Sequence, residues 1–296
     1  MLIQQLLNGL VMGMVYALFA LGFNLIFGVH KIMNLAHGAI FMVGAFVGLY
    51  SVLAGLPLWA AILVVALSTG LLSVLIDQFA FRPLRRTGEA EFAVLIASIG
   101  VEMILVNLAT QVSGARTMRF PFGIVPTEAF LVLGVRITPI QIIISVAALA
   151  CFALLTWYLY RTNFGRQVRA VSSNERAAAL LGVEPNFVYF QTFFISGALA
   201  GVAGVLIGLA FSSISFHMGE PYLLRGFVVL ILGGLGSLAG AVVAGLLLGV
   251  IQTLTIAYAP PGLSEIIVYS LLFVVLLVKP NGLFGGVVAD ARMARR

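Results

Sequence analysis

The residues able to do chemistry in this sequence are few, and their spacing excludes most enzyme classes. The three histidines, His30, His37 and His217, lack ligand spacing with one another or with the single cysteine, Cys151. The two lysines stand in "GVHKIM" and "LLVKPN", and neither follows the glycine-rich turn of a Walker A loop. A His-Glu-x-x-His pair and a Gly-x-Ser-x-Gly elbow are both missing. No catalytic residue, metal ligand or cofactor of its own is expected in this chain. If it does ATP-driven work, the ATP and its magnesium belong to another subunit.

What remains is polarity where polarity is expensive. Glu102, in "IGVEMILVN", falls near the middle of an apolar run, where a carboxylate costs several kcal/mol unless paired or protonated. It could contact a substrate ammonium group, or pair inside a bundle with Asn107 or Asn24. Asn34 and His37, in "NLAHG", open another apolar run, either pinning a broken helix or lining a pathway. Asn34, His37, Glu102 and Asn107 are the candidate substrate pathway.

A third stretch, "SSNERAAALLGVEP", is polar and sharply bounded. Ser172-x-x-Glu175 has the capping-box pattern, in which the hydroxyl accepts from the third helical amide and the glutamate reaches back. It predicts a helix over Ser173–Leu181, with Gly182 ending it in the left-handed region and Pro185 preventing resumption. Such a helix spans only ~14 Å. With Ala177 and Ala178 allowing close approach, it suits a knob that docks on a partner and carries a push into the rest of the chain.

The elements that must position these groups are set by composition. Of 296 residues, 62% are hydrophobic and 9% charged, and the mean hydropathy is +1.16. A soluble domain carries ~25% charge, so the solvent here is lipid. The expected fold is all-α and polytopic, a single transmembrane domain over 1–296 with a cytoplasmic loop at about 161–186. Apolar runs of the ~20 residues that a ~30 Å bilayer core requires are Leu6–Phe27, Leu35–Ala54, Pro57–Phe79, Phe92–Val112, Pro139–Tyr160, Phe187–Ala210, a short Tyr222–Leu232, Leu238–Ala257 and Leu263–Val278. "GGLGS" interrupts one long run, so eight or nine spans are admissible. The first charge, Lys31, follows the first run, so a basic signal-peptide region is missing and that run should stay in the mature protein.

Orientation follows from Lys and Arg. With the Ser172 loop in the cytoplasm, Lys31, Arg82, Arg85, Arg86, Arg161, Arg166, Arg169, Arg176, Lys279, Arg292, Arg295 and Arg296 lie inside. Arg116, Arg119, Arg136 and Arg225 lie outside. That bias puts the N-terminus outside and the "ADARMARR" tail inside, and nine spans satisfy it. The positive charge speaks for an anionic membrane leaflet, not for nucleic acid. The connection from Ser113 to Thr138 carries Pro121, Gly123, Pro126 and Gly134, and is expected as an irregular loop or short surface helices. Gly197/Gly201, Gly204/Gly208, Gly236/Gly240 and Gly245/Gly249 are Gly-x-x-x-Gly pairs, which allow close helix packing within the chain or against another chain.

The ordered stretches "NGLVMGMVYALFALGFNLIFGV", "MNLAHGAIFMVGAF", "RPLRR" followed by "LIASIGV", "GRQVRAVSSNERAAALLGV" and "LGGLGSLAGAVVAGLLLGV" resemble the branched-chain amino acid ABC transporter permeases, in the order of the smaller, LivH-type subunit. "SNERAAALLGV" is similar to the Glu-Ala-Ala loop of ABC importers, although Arg176 follows Glu175 before the alanines. The resemblance implies an inner-membrane permease working with a second homologous permease, two cytoplasmic ABC ATPases and a periplasmic or lipid-anchored binding protein. It implies a coupling role for Ser172, Asn174, Glu175, Arg176, Ala177, Ala178, Leu181 and Gly182. Members usually carry a small or neutral polar residue where Glu102 stands. Branched-chain or related hydrophobic amino acids are the implied substrates, with urea and short amides the cargo of near relatives. A stand-alone transporter or channel is the competing class, and the capped cytoplasmic helix argues against it. A membrane enzyme is disfavoured by the missing catalytic constellations.

Overall fold

A computed structural model describes residues 1–85, 90–121, 123, 124, 126, 128–132, 134–260, 262–279 and 282–284. Arg86 and the "ADARMARR" tail lie outside them. The helices are α1 (Leu2–His30), α2 (Ala36–Leu53), α3 (Leu58–Ile76), α4 (Arg82–Leu84), α5 (Ala90–Ser113), α6 (Pro139–Arg161), α7 (Asn163–Ser173), α8 (Glu175–Leu180), α9 (Pro185–Phe211), α10 (Gly219–Gly233), α11 (Leu238–Tyr258) and α12 (Leu263–Val278). Among the described residues, seven helical stretches are long and apolar enough to cross a membrane: Leu2–His30, Ala36–Leu53, Leu58–Leu84, Phe92–Ser113, Pro139–Arg161, Pro185–Phe211 and Leu238–Tyr258. The protein is an all-α, multi-pass membrane protein. All nine expected runs form separate helices, but α10 rises only ~22 Å and α12 ~24 Å, short of a full bilayer core.

Burial ranks the helices. In the most apolar windows of α1 and α9, 78% of residues are buried, against 17% in α5 and 22% in α6. The centre is therefore α1, α2 and α9, and the outer faces of α5 and α6 are left for lipid or a partner. The centre is tight because glycines meet there. A Cβ on Gly44 would stand 2.3 Å from the Gly201 Cα, and one on Gly249 would stand 2.4 Å from the Gly13 Cα. Gly197 lies against Ser73 and Thr69, and Gly240 against the Gly233 carbonyl. These faces pack within the chain. Gly236 is the exception: it precedes α11, has φ +81° and has nothing within 4 Å of an added Cβ, so it is a turn glycine and not half of a helix-packing pair.

Three breaks set the positions of functional groups. The run from α3 into α4 passes through a π-turn, Asp77–Phe81, in which the Arg82 amide donates to the Asp77 carbonyl. Pro83 would otherwise press on the carbonyl four residues back, and the wider turn accommodates it. "GGLGS" separates α10 from α11, and Asn24 of α1 repairs the break. Its Oδ1 accepts from the Gly236 amide at 2.8 Å and its Nδ2 donates to the Ser237 carbonyl at 2.9 Å. Between α1 and α2, the Leu35 amide donates to Ser98 Oγ of α5 at 3.1 Å.

The Ser113–Thr138 connection is more ordered than expected. It forms an antiparallel hairpin, β1 (Phe130–Val132) with β2 (Val135–Ile137), in register Phe130↔Ile137 and Leu131↔Arg136. Met118 and Ile214 exchange both backbone hydrogen bonds, at 2.8 and 2.9 Å. The hairpin is tied to α1 by Gln4, whose side chain accepts from the Arg136 amide and donates to its carbonyl. One end of the bundle is thus the hairpin end. The other carries the ends of α1 and α4, the start of α9, and α7 and α8.

Candidate functional site

The cap of the short polar helix differs from the sequence pattern. Asn174, not Ser172, is the N-cap, and its Oδ1 accepts from the Ala177 amide at 3.0 Å. Such a cap contributes about 1 kcal/mol. Ser172 belongs to the last turn of α7, where its hydroxyl donates to the Arg169 carbonyl. The asparagine wins because the chain is extended at Asn174, which ends α7 and begins α8 at once. The C-terminal end follows expectation. Gly182 has φ +84°, its amide donates to Ala179, and the Val183 amide donates to Ala178, which is a complete Schellman closure. Pro185 does more than block resumption, since it is the first residue of α9.

Preceding it, α7 is a strongly two-faced helix that the sequence reading leaves inside the loop. Gly165, Val168 and Val171 are buried on one side, while Arg166 and Arg169 are exposed. On α8, Ala178 faces its own bundle and is buried, whereas Ala177, Ala179 and Arg176 are exposed. Leu180 and Leu181 are 89% and 85% exposed. Leu180 and Leu181 thus form the outward face of α8, and Ala178 anchors the helix from behind.

A polar cluster runs inward from α8. The Tyr189 side chain of α9 lies beside the Glu175 carboxylate of α8. The Arg85 guanidinium carbon lies 4.6 Å from the Tyr189 ring centre. Arg85 also forms an ion pair with buried Asp77 at the π-turn and donates to His30 Nδ1 of α1 at 3.2 Å. Because a guanidinium only donates, Nδ1 accepts and the proton sits on Nε2, which donates to Thr192 Oγ1 of α9 at 3.0 Å. Tyr189, Arg85, Asp77 and His30 thus join α9, the α3–α4 run and α1, with Glu175 of α8 beside them.

The proposed pathway residues do not converge. His37 is buried between α1 and α9, with Nε2 donating to the Phe19 carbonyl at 3.2 Å and Nδ1 3.5 Å from Ser196 Oγ. It ties three helices. Asn34 is fully buried, and neither atom of its amide has a hydrogen-bond partner among the described residues. Glu102 is half-buried and lines a small chamber of about 30 Å³ with Glu220, His217 and Met42. It pairs with neither asparagine. Asn107 is exposed and donates back to the Met103 carbonyl, and Asn24 is held at the "GGLGS" break.

A larger cavity lies toward the hairpin end. It holds about 750 Å³ and is lined by α1, α6, α9, α10 and α11, with Asn8, Tyr16, Gln141, Tyr222, Arg225 and Gln252 as its polar residues of note. Arg225 is mid-helix in α10 rather than in an external loop. Isolated in hydrocarbon, an arginine costs ~2.5–3.5 kcal/mol on the insertion scale. The rings of Tyr16 and Tyr222, 6.0 and 5.3 Å away, return only ~0.5–2 kcal/mol each. The signal that could have found it was the same one that flags Glu102, a charge inside an apolar run.

Comparison with known proteins accords with this architecture. The family model described as branched-chain amino acid transport system / permease component matches residues 5–276. The chain is 30% identical to the high-affinity branched-chain amino acid transport system permease protein LivH of Escherichia coli strain K12, over 96% of this chain and 95% of that protein. It is 32% identical to the corresponding BraD protein of Pseudomonas aeruginosa, again over 96% and 95%. The probable branched-chain amino acid transport permease protein LivH of Methanocaldococcus jannaschii is 26% identical over 90% and 88%.

Proposed function

The chain belongs to the family of branched-chain amino acid transport permeases, and on that premise we propose that it is the membrane-spanning permease of an ATP-driven importer for branched-chain or related hydrophobic amino acids. The observation that carries the reading is the end-to-end likeness to full-length permeases, over 96% of this chain and 95% of theirs. The chain itself hydrolyses no ATP. Two cytoplasmic ATPases supply that step with their own magnesium, a second homologous permease completes the pathway, and an extracytoplasmic binding protein delivers substrate. The N-terminus and hairpin end face outward, and α7 and α8 face the cytoplasm, which places the exposed basic residues Arg166, Arg169 and Arg176 inside.

In this reading α8 seats Leu180 and Leu181 in a groove of the ATPase. Closure of the ATPase pair moves α8, and the contacts from Glu175 through Tyr189 and Arg85 pass the movement to α9, α1 and the α3–α4 run. Alternating access follows from rocking of these packed helices, because a bundle with so many glycine contacts shifts as a body and does not deform.

The test is uptake by proteoliposomes holding the two permeases and two ATPases, with binding protein outside and ATP within. Leucine, isoleucine or valine should accumulate only when both are present. Accumulation by this chain alone, without nucleotide, would make it a self-sufficient carrier and end the importer reading.

A further inference from the structure

We infer that the cavity around Arg225 is a substrate site within the permease, in which Arg225 holds the carboxylate of an aliphatic amino acid. The inference rests on the amino-acid reading above and adds to it a location and a charge partner.

Four observations converge. The cavity, about 750 Å³, is of the size that encloses a small ligand. Its walls combine apolar side chains, Val11, Ile144 and Ile256 among them, with a few polar groups, which suits a ligand that is apolar at one end and charged at the other. Two of those groups are already oriented: the Tyr16 hydroxyl donates to Gln252 Oε1 at 2.8 Å, and Gln141 donates to Asn8 Oδ1 at 2.8 Å. Arg225 is the cationic residue of the lining, with its side chain only 16% exposed.

The state of Arg225 points to a carboxylate. Tyr16 and Tyr222 hold the guanidinium against their rings, and such contacts leave in-plane N–H donors free for a forked pair with a carboxylate. Among the described residues the one acidic side chain that reaches it is Glu265, at 3.8 Å and itself 64% exposed. That pair is long and half in water, so its attraction is weak. Glu265 is placed as a stand-in that an incoming carboxylate displaces.

The experiment uses the assembled transporter in nanodiscs and proteoliposomes. Radiolabelled leucine binding is measured without binding protein, against isoamylamine, which keeps the side chain and amine but lacks the carboxylate. Leucine should compete and isoamylamine should not. Arg225→Gln should weaken leucine binding and uptake at least tenfold, while loaded binding protein still stimulates ATPase activity to within twofold of wild type. Glu265→Gln, an exposed and tolerant position, should strengthen leucine binding severalfold and keeps the test decisive if Arg225→Gln assembles poorly. Unchanged leucine binding in Arg225→Gln, no change in Glu265→Gln, or equal competition by isoamylamine overturns the site. Loss of the Arg225 effect when phosphatidylglycerol replaces phosphatidylcholine also overturns it, and makes Arg225 a lipid-headgroup anchor. A wild-type transporter that takes up no leucine brings down the amino-acid reading itself. Normal wild-type uptake with an indifferent Arg225→Gln brings down only the anchor.

Discussion

Arg85 covers the ring of Tyr189 at 4.6 Å and, with the same guanidinium, neutralises Asp77 and donates to His30. One side chain thereby joins the ends of three membrane helices beside α8. Replacing Arg85 by Ala leaves buried Asp77 without its partner, and breaking a buried pair from one side costs about 3–5 kcal/mol. The variant should melt well below wild type. Arg85→Gln with Asp77→Asn restores neutrality, so it should regain most of the stability. It should not regain transport: ATP hydrolysis continues, but uptake per ATP falls several-fold. Recovery of both in the double variant would make the cluster merely structural.

Tyr189 does two jobs that one substitution separates. Tyr189→Phe keeps the ring under Arg85 and removes the hydroxyl on the side of Glu175. Any attraction between the hydroxyl and Glu175 contributes little to stability, because Glu175 is exposed. Stability should therefore hardly change, while uptake per ATP drops. Glu175→Ala should do the same, and combining the two should add nothing further. Additive losses in the double variant would show that the two side chains act separately.

The exposed face of α8 is also open to test. Burying a leucine contributes roughly 1.5–3 kcal/mol, so Leu180→Asp should weaken association with the ATPase by at least tenfold. Leu181→Asp should act alike. The permease itself should stay intact, since both side chains are almost fully exposed. Ala178→Arg, by contrast, lands on the buried face and should lower the melting temperature of the isolated subunit. Co-purification of the ATPase and thermal melting of the permease read the two effects apart; equal loss of folding in all three variants would refute the assignment of faces.

The sequence makes the membrane class, the nine helical runs, the "GGLGS" break and the Gly182 stop legible, because each is a local property: apolar length, missing side chains, or a backbone angle. Ser172 was misleading for a local reason too. Ser172 and Asn174 both fit a cap, and the choice depends on where α7 ends, which is fixed by Val168 and Val171 burying against the bundle. Arg85 and Asp77 stand eight positions apart on one run, but His30 and Tyr189 are distant from them in sequence, so only the packing of α1 and α9 against that run brings the four together. Arg225 is legible as a charge in an apolar run, yet its cavity is built from five helices. Glu102 is equally conspicuous, and its neighbour Glu220 comes from the start of α10, 118 positions on.

Asn24 gives the last prediction, because its amide replaces two missing backbone partners at once. The Gly236 amide and the Ser237 carbonyl lie where α10 stops and α11 has not begun. Asn24→Ala strands both groups; with Gly236 exposed and Ser237 half-buried, each lost hydrogen bond costs about 0.5–1.5 kcal/mol. Asn24→Asp is nearly the same shape, but it keeps only the acceptor for Gly236 and turns a second oxygen toward the Ser237 carbonyl. If the fork holds the break, both variants lose several degrees of melting temperature in detergent. Asn24→Asp should recover part of the loss when its carboxyl is protonated, since a protonated oxygen donates again to Ser237. The sign follows: recovery appears as pH falls and vanishes as it rises, whereas Asn24→Ala is indifferent to pH over the same range. An Asn24→Asp variant as stable as wild type at neutral pH would show that the break holds without the fork.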